Sequence, residues 1–270
     1  MTWQAPALQD QEFKLFQKLL YDTTGIALND GKKPLVSGRL MSRLRHFELR
    51  TFDDYFRLVK RDAVECQMMT DLLTTNETRF FREPAHFVFM REKLLAMKGS
   101  RGVIRAWSAA CSSGEEPYTM AMTCAETLGI DGGFDILGSD ISQRVLDRAE
   151  RGVYSMERAE GLAPDLLKKY CLRGVRSNEG TFCISRELRR HVKFRQINLL
   201  SPPNDLGHFD FIFLRNVMIY FDAVTRKQIV DRMMHVLKPG GFFVIGTAES
   251  LISVTDQLET AAPHVYRRRS

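Results

Sequence analysis

The stretch Ile104-Arg-Ala-Trp-Ser-Ala-Ala-Cys-Ser-Ser-Gly-Glu-Glu-Pro-Tyr118 decides the fold. Val103 to Trp107 is short, apolar and β-rich, Ser108 to Gly114 carries no side chain larger than a thiol, and Pro117 sits where the first turn of a helix tolerates it. This is a buried strand, a small-residue loop and a helix start, and a crowded ligand fits against such a loop. The loop lacks Gly-x-Gly-x-x-Gly, and the helix behind it opens with Glu115 and Glu116, where a pyrophosphate would otherwise sit. A dinucleotide is therefore disfavoured and a nucleoside with positive charge favoured, unless the two glutamates only complement the helix dipole.

Working toward the C-terminus, strands are expected at Val103–Trp107, Phe134–Leu137, Val192–Arg195, Phe209–Leu214 and Phe242–Ile245. They alternate with helices at Glu115–Leu128, Ser142–Arg151 and Ala223–Leu237. Such alternation means an α/β fold with a doubly wound parallel sheet. Lys238-Pro-Gly-Gly is expected to stop the last helix, and Leu258 to Arg268 to form a terminal antiparallel pair, with Arg267 to Arg269 a solvated tail. The interval from Arg151 to Arg190 is too long for a simple connection. A helix at Pro164–Tyr170 and strands at Leu172–Arg176 and Thr181–Ser185 around Asn178-Glu-Gly180 make it an inserted β-hairpin subdomain spanning 152–190.

Toward the N-terminus the pattern is helical. Phe13, Phe16, Leu19 and Leu20 share one face, and Phe52, Tyr55, Phe56 and Val59 another, which defines a small all-α domain over 1–85 ahead of the sheet domain at 86–270. Within it, Leu40, Leu44 and Phe47 lie on one side of a helix while Arg39, Arg43, His46 and Arg50 recur at helical spacing on another. With Arg45 added, only Glu48 opposes these arginines, so the face is either solvated or a dock for something acidic. Leu73-Thr-Thr-Asn-Glu-Thr-Arg-Phe-Phe-Arg-Glu-Pro84 reads as the joint between the domains.

Ligands of open α/β sheets bind at the carboxyl ends of the strands. There Asp140 is placed to accept hydrogen bonds from ribose hydroxyls, or to cap the helix from Ser142. Asn198 and Leu199 could contact an adenine or form a turn before Pro202, and the fourth strand delivers Arg215, Asn216 and Tyr220 to the same edge.

Taken in order, Thr74-Thr-Asn-Glu-Thr-Arg-Phe-Phe-Arg-Glu83, Trp107 to Tyr118, Ser139-Asp-Ile141, Asn198-Leu-Leu200 and Arg215-Asn-Val-Met-Ile-Tyr-Phe-Asp222 resemble the chemotaxis-receptor glutamate O-methyltransferases of the CheR family. The resemblance covers nearly the whole chain; Cys111 departs from the small residue usual there. It implies a Rossmann-like S-adenosylmethionine methyltransferase sheet that releases S-adenosylhomocysteine. It implies cofactor contacts at Asn76, Thr78, Arg82, Glu116, Asp140, Asn198, Leu199, Arg215 and Asn216, and catalytic orientation of the incoming carboxylate by Arg82 and Tyr220. An interdomain ion pair for Arg82 and a core position for Tyr220 are the competing readings. The implied partner is the cytoplasmic helical bundle of a receptor, steered by Arg39, Arg43 and Arg50. The hairpin resembles the family's docking subdomain, which in some members takes a receptor's C-terminal peptide as an added strand.

Composition agrees with a folded chain of this kind. Of 270 residues 44% are hydrophobic and 27% charged, which excludes a largely disordered protein. No run approaches the roughly 20 apolar residues of a membrane span, and Met1 to Gln11 lacks the features of a signal peptide, so no membrane insertion and a cytoplasmic location are expected. The five cysteines, Cys66, Cys111, Cys124, Cys171 and Cys183, are scattered and never spaced Cys-x-x-Cys, so neither a disulfide framework nor a zinc or other metal site is indicated. The charge of +6 favours an acidic partner without choosing one. A nucleic acid is disfavoured because Arg215-Asn-Val-Met stands where an Asn/Asp-Pro-Pro-aromatic motif would grip an exocyclic amine. A non-catalytic adaptor is disfavoured by the presence of both Arg82 and Tyr220.

Overall fold

The computed structural model describes residues 3–99, 102–252 and 254–269. Four helices come first: α1 (Asp10–Thr24), α2 (Lys33–His46), α3 (Phe52–Arg61) and α4 (Ala63–Leu73). Their ends are chemically marked. Thr51 accepts from the Asp54 N–H at the start of α3, Asp62 accepts from the Val64 and Glu65 N–H groups at the start of α4, and Gly25 closes α1 at φ +77°. Phe13, Phe16, Leu40, Leu44, Phe52 and Tyr55 bury together in a core that reaches Leu73 and goes no further. The next helix, α5 (Ala85–Met97), packs its Phe87, Met90 and Leu94 with Phe80 into the core of the sheet. The helical domain thus ends nearer to Leu73 than to residue 85, because Phe80 already belongs to the other core.

The remaining elements are β1 (Ile104–Ala109), α6 (Glu115–Leu128), β2 (Phe134–Asp140), α7 (Gln143–Arg151), β3 (Val153–Ser155), α8 (Pro164–Tyr170), β4 (Cys171–Arg173), β5 (Thr181–Ile184), α9 (Arg186–Arg189), β6 (Val192–Gln196), β7 (Phe209–Leu214), α10 (Ala223–Val236), β8 (Leu237–Ile245), β9 (Leu258–Ala262) and β10 (Val265–Arg268). Seven strands form one sheet in the order β6-β2-β1-β7-β8-β10-β9. The first five are parallel and β10 runs antiparallel to both neighbours. Alternate residues feed two cores. Ala106, Phe211, Phe213 and Val244 face α5 and α6, while Trp107, Ile212, Leu214 and Ile245 face α10. Burial on both faces is why β7, Phe-Asp-Phe-Ile-Phe-Leu, is apolar at every position but Asp210, whose carboxylate accepts from the Arg105 N–H and from Lys238. The strand order reverses between β1 and β7, and that switch point opens the crevice where such sheets bind ligands.

Three expectations change. Leu237 leaves α10 straight into β8, so Lys238-Pro-Gly-Gly lies within a strand whose pairing with β7 shifts register, not in a stop before it. The insertion is a three-stranded antiparallel sheet ordered β3-β5-β4, not a hairpin; the third strand is the three-residue Val153–Ser155. Arg267 and Arg268 are strand residues, with Arg268 donating to the Leu237 carbonyl; Arg269 follows the strand, and its N–H still donates to the Gln257 carbonyl at 3.0 Å.

Candidate active site

Gly114 caps α6 at φ +94°, and an added Cβ would lie 2.7 Å from the Ala149 Cβ. The position needs glycine on both counts. Ala110 and Ser112 just before it also hold positive φ, +66° and +50°. The turn is kept by Asp140 at the end of β2, whose Oδ2 accepts the Ser112 N–H at 2.9 Å, while Oδ1 accepts the Ser142 N–H at 3.0 Å. Asp140 therefore holds the Ser142 N–H just ahead of α7 and braces the loop. Each oxygen still has acceptor capacity for a pair of ligand hydroxyls. Burial pushes its carboxyl above the usual range, against the pull of those N–H groups.

The two glutamates divide their work. Glu115 is fully buried, pairs with Arg158 from the insertion and accepts from the Ser113 hydroxyl at 2.7 Å, so it faces away from the crevice. Glu116 lines the crevice, accepting from the Ser108 hydroxyl at 2.7 Å and from Arg215 at 2.8 Å. Burial raises the Glu116 carboxyl, and Arg215 and Ser108 draw it back. The Arg215 side chain is only 1% exposed. Its guanidinium is bonded to Glu116, to Glu83 at 3.1 Å and to the Arg82 carbonyl.

A cavity of about 310 Å³ gathers these groups. Asn76, Thr78, Arg82, Glu116, Asp140, Asn198, Leu199, Arg215, Asn216 and Tyr220 all line it. Arg82 lines the cavity and, among the described residues, its side chain donates one bond, to the Glu77 carbonyl at 3.1 Å. Asn198 also forms the turn: its Nδ2 donates to the Thr23 carbonyl at 2.7 Å and its Oδ1 accepts the Leu200 N–H at 2.9 Å, so the amide ties the sheet to α1 while the residue lines the cavity. Leu199 contributes an apolar wall.

The basic stripe is also redistributed. Arg39 donates to the Leu73 and Thr74 carbonyls, each at 2.9 Å, and so pins the joint while keeping its charge. Arg43 forks onto Glu65 at 2.8 and 2.6 Å, and its charge is balanced inside the helical domain. Arg50 is exposed, and no hydrogen bond or ion pair of its side chain is recorded among the described residues.

Three contributors escaped the sequence. The segment 26–29, with Lys32 and Leu35, roofs the cavity, held by a bridge from Ile26 to Phe221 and by the Ala27 N–H on the Tyr220 carbonyl at 2.8 Å. Glu249 accepts the backbone N–H groups of Asn216, Met218 and Gly246 at 2.9, 2.8 and 2.7 Å. Glu83 accepts from Arg215, Asn216 and Thr247. Only Glu83 had a signal, its place beside Arg82 in a motif.

A cavity of this size lies in the small-molecule range. Its polar wall carries a carboxylate pair, Asp140 at the end of β2 and Glu116 in the first turn of α6, where a phosphate would otherwise go. The residues fit a cationic nucleoside, and with the reversed strand order they define an S-adenosylmethionine-dependent methyltransferase. Comparison with known proteins narrows the class. Residues 76–266 match the family described as CheR methyltransferase, SAM binding domain, and residues 11–74 its all-alpha domain. The chain is 41% identical over 258 residues to chemotaxis protein methyltransferase 2 of Pseudomonas aeruginosa, covering 95% of this chain and 92% of that one. It is 39% identical over 264 residues to the chemotaxis protein methyltransferase of Escherichia coli K12, covering 96% and 91%. The chain belongs to the CheR methyltransferase family.

Proposed function

We propose that the protein methylates glutamate side chains on the helical bundle of chemotaxis receptors, forming methyl esters that tune sensory adaptation. The observation that carries this reading is the pairing in one cavity of an incompletely bonded guanidinium, Arg82, with a phenol, Tyr220, above the acidic floor of Glu116 and Asp140. S-adenosylmethionine, when bound, supplies an electrophilic methyl group on sulfur. A glutamate with a pKa near ~4.3 is already ionised at neutral pH, so the chain has no proton to remove. Its residues have to hold and align. Arg82 and Tyr220 donate hydrogen bonds that fix the carboxylate in a near-attack position, while Glu116, Asp140 and the Ile26–Leu28 roof orient the donor and exclude water.

The receptor is approached from the α2 side, where Arg50 and the retained charge of Arg39 favour an acidic surface. The β4 strand is an edge of the small sheet and carries the exposed Leu172, followed by exposed Val175. It is the natural place for an extended receptor peptide to add as a strand. Such a substrate puts the enzyme in the cytoplasm; among the described residues no helix is long and apolar enough to cross a membrane.

The test is incubation with methyl-labelled S-adenosylmethionine and receptor-containing membranes. Label on the receptor that mild base releases is expected, with Tyr220→Phe lowering kcat about 10- to 100-fold at little change in cofactor affinity. Base-stable label, or none, would overturn the reading.

A further inference from the structure

Glu83 has no place in the chemistry so far, yet it is the side chain on which three loops of the site meet. Its Oε2 accepts from Arg215 at 3.1 Å and from the Thr247 N–H at 3.2 Å; its Oε1 accepts from the Asn216 amide and the Thr247 hydroxyl, each at 3.2 Å. Those donors sit past the ends of β7 and β8, while Glu83 ends the loop that carries Asn76, Thr78 and Arg82. The carboxylate therefore joins the Arg82 loop to the segment that leads to Tyr220.

The backbone points the same way. Glu83 holds φ +57° and Asn216 φ +58°, left-handed conformations that cost a non-glycine residue energy and persist where the surroundings over-determine them. Here the two strained residues are bonded to each other. His86, one turn on, has its Nδ1 3.5 Å from Glu83, but burial and then the Arg215 charge push it down to about 4, so it stays neutral and leaves the carboxylate to its four donors. Burial would raise the Glu83 carboxyl, but Asn216 and Arg215 outweigh it and hold it below the usual range.

We propose that Glu83 is a positioning residue for methyl transfer, gathering Arg215, Asn216 and Thr247 so that Arg82 and Tyr220 converge on one substrate carboxylate. It touches neither ligand and acts through Arg82. Replacement by Gln keeps the shape but turns one acceptor into a donor, which must then face the donors of Arg215 and Thr247 or those of Asn216 and Thr247. Arg215 keeps Glu116 as a partner, so the cofactor wall survives.

The inference rests on the proposed glutamate methylation, and wild-type enzyme assayed in parallel separates the two. Purified Glu83→Gln and Glu83→Asp are compared with wild type for kcat and KM on receptor membranes, for S-adenosylhomocysteine affinity by calorimetry and for thermal midpoint. The expected result for Glu83→Gln is a kcat about 10- to 100-fold lower, S-adenosylhomocysteine affinity within about threefold of wild type, and partial recovery of kcat in Glu83→Asp. A kcat within about twofold of wild type overturns the inference, as does a loss of kcat matched by equal losses of affinity and thermal midpoint, which would mark Glu83 as structural only. Wild-type enzyme that does not esterify the receptor would instead overturn the function on which it rests.

Discussion

Replacing Arg43 by Met should destabilise the helical domain rather than weaken receptor docking. Glu65, 3% exposed, receives three hydrogen bonds: two from the Arg43 fork at 2.8 and 2.6 Å and one from the Tyr55 hydroxyl at 2.7 Å. Burial and the neighbouring Glu65 raise the Tyr55 phenol, which keeps it a donor. Met preserves most of the aliphatic packing and removes the charge, leaving a buried carboxylate with one neutral partner. Removing one member of a buried pair costs ~3–5 kcal/mol. The Arg43 side chain is 21% exposed, so water offsets part of the loss and about 2–3 kcal/mol is the expected cost. At about 2–4 °C per kcal/mol, the midpoint in thermal unfolding followed by circular dichroism falls by about 5–10 °C. Arg43→Met with Glu65→Leu and Tyr55→Phe should recover much of it, since all three polar partners are then gone and no buried hydroxyl is orphaned. If the midpoint instead stays within about 1 °C while the receptor KM rises with a steep salt dependence, Arg43 works on the partner and the structural account is wrong.

The acidic floor makes a second prediction, about pH. Because the Glu116 carboxyl is raised by burial, the charge that attracts a cationic cofactor is lost as pH falls through that raised value, earlier than for a free glutamate near ~4.3. S-adenosylmethionine affinity measured by calorimetry should weaken on acidification, and Glu116→Gln should flatten the slope; an unaltered slope would remove Glu116 from the site. Ligand-free stability moves the other way. The raised Glu116 and Asp140 contribute most below their unfolded pKa values and lose that contribution as pH rises through the folded ones. Gly114→Ala should lose cofactor binding together with at least about 2 kcal/mol of stability, since it meets Ala149 and adopts an unfavourable φ. Retained S-adenosylhomocysteine binding at wild-type affinity would show that the turn can relax.

Much of this was legible in local pattern. Both ends of α6 are where glycine, acidic first-turn residues and the apolar run put them, and β7 matches its stretch residue for residue because burial on both faces leaves no ambiguity. The gathering of the motif residues around one cavity was also expected from the places of strand ends in an open sheet. What escaped was decided at long range. Whether Arg39 and Arg43 faced solvent depended on carbonyls and a carboxylate from α4 and the joint, and helical spacing does not register them. The strand β3 is too short to alternate, and it exists because β5 pairs with it. Glu249 looked like any residue after a strand until three N–H groups converged on it.

The roof over the cavity constrains how such a chain can be rebuilt. Residues 26–29 come from the helical domain, yet they bond to the backbone of Tyr220 and Phe221, and the Tyr21 hydroxyl donates to Asp222 at 2.7 Å from the same side. A chimera that exchanges the helical domain for that of a relative, to change which receptor is approached, also exchanges part of the cofactor's enclosure. Specificity and donor affinity are therefore inherited together, and a graft keeps its catalytic half intact only if the segment between α1 and α2 stays with the sheet that it covers.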